Sequence, residues 1–140
     1  MQRVLFYLLS GLILLGCEPA PSNTEQFSSC QPNQLCNYSG GISLSLDKPE
    51  VHPETPFNLL LTLPEDWQVK NAKMTGVEMY MGMIPVFFEQ NGNQWHAQTM
   101  VGACSSANMM WQLSITLEHH IHSSDAELKE VLYFIRVPNQ

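Results

Sequence analysis

Trp111-Gln112-Leu113-Ser114-Ile115-Thr116-Leu117-Glu118 carries an apolar side chain at every odd position and a polar one at every even position. A strand turns successive side chains to opposite faces. A period of two therefore gathers Trp111, Leu113, Ile115 and Leu117 on one buried face and leaves the other face to solvent.

The same period extends outward in both directions. Val131, Tyr133, Ile135 and Val137 repeat it toward the C-terminus. Trp95, Ala97, Thr99 and Val101 alternate with His96, Gln98 and Met100, and Phe57, Leu59, Leu61 and Leu63 alternate with Asn58, Leu60 and Thr62. Leu44 and Leu46 alternate with Ser43, Ser45 and Asp47. Two further strands are predicted near 70–80 and 83–89.

Breakers fall between these runs. Pro49, Pro53 and Pro56 follow the first, Pro64-Glu65-Asp66 ends the second, and Gln90-Asn91-Gly92-Asn93 reads as a hairpin turn because Asn-Gly tolerates positive φ. Only Ser124 to Glu130 suggests a helix, about two turns opened by a Ser124/Glu127 capping box. About seven short strands in roughly 100 residues predict an all-β chain: a single immunoglobulin-like antiparallel β-sandwich over residues 40–140.

The N-terminus reads differently. Arg3 precedes an apolar run from Val4 to Leu15 that is too short to span a bilayer, which takes about 20 residues. A charged start, a short apolar run and a small residue before a cleavage point make a secretory signal peptide. Leu14-Leu15-Gly16-Cys17 resembles the bacterial lipobox, whose cysteine thiol receives a diacylglyceryl group. The expectation is a cleaved signal over 1–16 and an acylated Cys17 that holds the chain on a membrane without a transmembrane helix. Glu18 stands where enteric bacteria use aspartate for inner-membrane retention, which points to the outer membrane facing the periplasm. Residues 17–39 begin with the Pro/Ser-rich stretch EPAPSNTEQFSS and read as a lipidated flexible tether.

Removing 1–16 leaves five basic residues against thirteen acidic ones, a formal charge of −8. Nucleic-acid binding wants a basic face and is excluded on this ground. A polybasic hold on anionic lipid is excluded likewise. Three cysteines remain after Cys17. Exported proteins sit where disulfides persist, and a loop disulfide between Cys30 and Cys36 would leave Cys104 over. A long-range bond from Cys104 to either of the other two is the alternative, and the sequence leaves both open.

Glycine-rich phosphate loops, a GxSxG elbow, HExxH and CxxC are all missing from the sequence, so the chain is read as non-enzymatic with no catalytic residues. Methionine is the distinctive component: six of the eight fall between Met79 and Met110. Met79, Met81 and Met83 would share one face if they lay in one strand. Thioether and thiolate sulfurs select Cu(I), so Met81, Met83, Cys104 and Met109 form the candidate soft-metal set. Methionine also fills irregular core gaps, which is the competing explanation. His119-His120-Ile121-His122 supplies a second metal candidate, with His120 and His122 on one face of a strand.

Pro53-Glu54-Thr55-Pro56-Phe57, Met81-Gly82-Met83-Ile84-Pro85, the Gly92-x-x-Trp95 step and the strand around Trp111 resemble small exported domains of the YtkA/FixH type, over roughly residues 45–118. Met79 to Gly82, Ile84 to Phe88, Gly102 to Cys104, Met109 and Trp111 are similar to motifs of little-characterised proteobacterial lipoproteins. That resemblance implies an immunoglobulin-like module in the setting of copper delivery or cytochrome-oxidase assembly, with Cu(I) as cargo and an envelope protein of that system as partner. The chain has no histidine within its methionine motif, where copper-binding relatives can carry one. The alternative from the residues themselves is a metal-free structural or protein-interaction lipoprotein.

Overall fold

The alternating runs form two antiparallel sheets whose inward faces make one core. The computed structural model describes residues 30–103, 108–119 and 126–138. Among them the strands are β1 (Cys36–Tyr38), β2 (Ile42–Leu46), β3 (Phe57–Thr62), β4 (Trp67–Gly76), β5 (Met83–Pro85), β6 (Glu89–Asn91), β7 (Gln94–Thr99), β8 (Asn108–His119) and β9 (Glu127–Pro138). One sheet has the order β1-β2-β3-β7-β6, the other β5-β4-β8-β9. No helix forms among the described residues.

The period-two pattern sorts the side chains between water and core. Met109, Trp111, Leu113, Ile115 and Leu117 of β8 are buried, as are Val131, Tyr133, Ile135 and Val137 of β9. The facing sheet contributes Leu44, Leu59, Leu61, Trp95 and Ala97. Apolar faces of two sheets meeting in this way give a β-sandwich. β8 and β9 pair along their whole length, from Asn108↔Pro138 to His119↔Glu127.

Three local expectations are corrected. Residues 126–130 are not helical, because Glu127 to Glu130 pair with His119 to Thr116. A capping box contributes on the order of 1 kcal/mol, and a ladder of strand pairs over a buried face outweighs it. The strand expected near 70–80 ends at Gly76. The strand expected over 83–89 is divided: β5 ends at Pro85, which lacks an N–H, and the chain crosses to the other sheet to form β6. The β6–β7 hairpin turns on Gly92 and Asn93, since Asn91 pairs with Gln94. Gly92 takes φ 66 at the first turn position, as a type II′ turn requires.

Ordered chain also reaches into the span assigned to the tether. Tyr38 pairs with Ile42 in the β1–β2 hairpin, and the sulfurs of Cys30 and Cys36 are bonded, with Cα atoms 5.5 Å apart. Asn33, at φ 65, fastens this loop to the outer edge of β9. Its N–H donates to the Phe134 carbonyl at 3.1 Å. Its Oδ1 accepts from the Arg136 N–H at 2.7 Å, and its Nδ2 donates to the Arg136 and Pro49 carbonyls at 2.9 and 2.7 Å. An exposed sheet edge invites pairing with another chain, and the Asn33 loop occupies part of this one.

Candidate functional site

The methionines gather at the end of the sandwich where β4 and β9 finish and β8 begins. Gly76 starts the arrangement. A Cβ there would collide with the Met79 carbonyl oxygen and lie 3.0 Å from the Met81 Cε, so only glycine lets the chain fold back this closely. The turn is then tied to β8. The Val77 N–H donates to the Met110 carbonyl at 2.9 Å, and the Met110 N–H donates to Glu78 Oε2 at 3.1 Å. Gly82, at φ 82, leads the chain into the edge strand β5.

Met79 and Met81 therefore lie in a connection rather than on a strand, and the shared-face argument for Met79, Met81 and Met83 does not hold. The candidate sulfurs also divide by depth. Met109 is a core residue at 2 % exposure, Met81 is half-buried against the core, and Met83 is 58 % exposed. Met74 is likewise inside. Cys104 falls in 104–107, outside the described residues, as does the anchor residue Cys17.

His120 and His122 also lie outside the described residues. β8 runs twelve residues from the methionine end at Asn108 to His119, which is roughly 40 Å of strand. At that far end the His119 ring stacks on Trp67 with centroids 4.8 Å apart and planes 12° from parallel. Its Nδ1 stands 3.8 Å from Glu127 Oε2. Among the described residues no group of three or more His, Cys, Asp or Glu converges as a metal site.

The methionine end presents apolar surface instead. Tyr80 is 89 % exposed, with Val77, Met79 and Met83 also exposed, while Phe87, 78 % exposed, lies further down the sheet beyond β5. Beside them Glu78, Asn108, Met109, Met110 and Arg136 line an open groove of about 300 Å³. Sequence reasoning missed Glu78 as the clamp and Tyr80 and Phe87 as surface. The signal available was that no charged residue occurs between Glu78 and Glu89. An uncharged run of that length reads equally as core, and only the tertiary fold separates the two. Comparison with protein-family models, curated proteins and solved structures returns no match.

Proposed function

We propose that the chain is a non-enzymatic, lipid-anchored protein of the bacterial envelope that works as a metal-free binding module, with the methionine-bearing end of the sandwich as its working surface. The division of the sulfurs carries this choice. A Cu(I) site at a solvent-reachable rim needs its thioethers together, and Met109 belongs to the core while Met83 stands outside it.

An immunoglobulin-like classification fits this reading. Taken in order, β2-β3-β7-β6 corresponds to A-B-E-D and β5-β4-β8-β9 to C′-C-F-G, with β1 added at the edge. The resemblance to YtkA/FixH-type domains agrees with such a module in the envelope. The copper reading keeps one observation in its favour, since Met79 and Met83 do expose their side chains. In it, Met81, Met83, Cys104 and Met109 would hold Cu(I) for an oxidase-assembly partner.

The envelope assignment is tested by mass spectrometry of the protein extracted from membranes. A mature chain beginning at a diacylglyceryl-modified Cys17 is the expected product. A soluble product beginning at another residue would remove the anchor from the proposal.

A further inference from the structure

We propose that the 77–83 end of the sandwich rests on a zwitterionic lipid surface, the same bilayer that holds the anchor, with Met79, Tyr80 and Met83 in the headgroup layer. This inference names the occupant of the working surface and rests on the lipid-anchor reading of Cys17.

The first support is the chemistry of the segment. Met79 to Phe88 contains no charge, and Tyr80, Met83 and Met79 leave 89, 58 and 47 % of their surface exposed. Large exposed apolar patches mark protein or membrane contacts. Tyrosine, with an apolar ring and a polar tip, suits the membrane–water boundary.

The second is where the chain enters the domain. Asn33 is bonded to Arg136 on β9, Arg136 is opposite Met110 on β8, and Met110 accepts from Val77. Three such steps separate Asn33 from the exposed turn, about 15 Å. Twelve residues, 18–29, join Cys17 to Cys30, and a chain of that length spans at most roughly 45 Å. The far end at His119 lies nine residues along β8 from Met110, about 30 Å away. The chain thus enters the domain nearer the 77–83 end than the far end, so tethering favours that end for contact with the bilayer. Tethering sets a local concentration on the order of millimolar, so a patch of a few side chains suffices.

The third is charge. Glu78 and Arg136 line the groove here, and the β2–β3 connection carries Asp47, Lys48, Glu50 and Glu54, so both signs are present with an acidic excess. Such a rim gives no attraction to anionic headgroups and no strong repulsion from zwitterionic ones. The turn is also fixed before contact, through Gly76 and the Glu78–Met110 bond, so little order has to be gained on docking.

The test uses the full lipidated protein reconstituted in phosphatidylcholine/phosphatidylethanolamine vesicles. Tyr80→Trp and, at the far end, Leu128→Trp are compared after subtracting the emission of the parent protein. Both positions are exposed, so neither change burdens the fold. Lipids brominated high on the acyl chain should quench and blue-shift the Tyr80→Trp signal and leave Leu128→Trp unaffected. Equal, negligible quenching at both positions, with the protein still sedimenting with the vesicles, overturns the docking while leaving the anchor intact. Failure to sediment overturns the anchor reading and this inference with it. Tyr80→Trp that is protected by a co-purifying protein rather than quenched by lipid overturns the choice of occupant.

Discussion

Two residues set the conditions under which the core holds together. The Tyr133 hydroxyl donates to the Gln34 carbonyl at 2.9 Å. Burial pushes its pKa up to about 12 from 10.0, with a hydrogen bond from the Leu46 backbone acting the other way. Tyr38 donates to the Leu132 carbonyl at 2.7 Å and is raised too, by burial first and then by Tyr133. Because the folded values lie above the unfolded one, this contribution is fully present below pH 10 and is lost as pH rises toward 12. The urea midpoint should stay level up to about pH 10 and then fall, and Tyr133→Phe should flatten that fall. An unchanged alkaline slope in the variant would assign the loss to other groups. Gly76 matters for a different reason. Gly76→Ala forces its Cβ onto the Met79 carbonyl and should cost about 1–3 kcal/mol in urea unfolding. A neutral result would mean that the 77–82 turn moves without cost.

At the scale of elements, β8 and β9 were the most legible, because a long alternating pattern over one buried face admits few other structures. The short strands were less so. β5 and β6 have three residues each, and sheet switching at Pro85 depends on contacts no local pattern records. The Ser124/Glu127 signal failed because a local cap was outweighed by long-range pairing. The Asn33 clamp was invisible for the same reason, since its partners on β9 lie up to 103 residues away. Asn33→Ala removes three side-chain bonds to the β9 edge and its neighbouring loop. The variant should lose about 1–3 kcal/mol, and amide exchange near Arg136 should quicken. Protection at Arg136 equal to the parent would show that β1 and the disulfide hold the edge without Asn33.

For the molecule as a whole, the sequence carried the sandwich and the gathering of methionines, but not their depth. Met83 and Met109 look alike in composition, yet one lies on an edge strand and the other on the inner face of β8. Depth follows from which face meets the opposite sheet, and that is settled by register across the fold. The methionine-bearing end of the sandwich is proposed to bind without metal. This is tested by anaerobic Cu(I) titration of the detergent-solubilised protein against a competing chelator, with ascorbate keeping the copper reduced and the Cys30–Cys36 bond intact. The wild type and Met81→Leu/Cys104→Ser should compete equally poorly. A stoichiometric, chelator-resistant Cu(I) complex in the wild type that is lost in the double variant would contradict it.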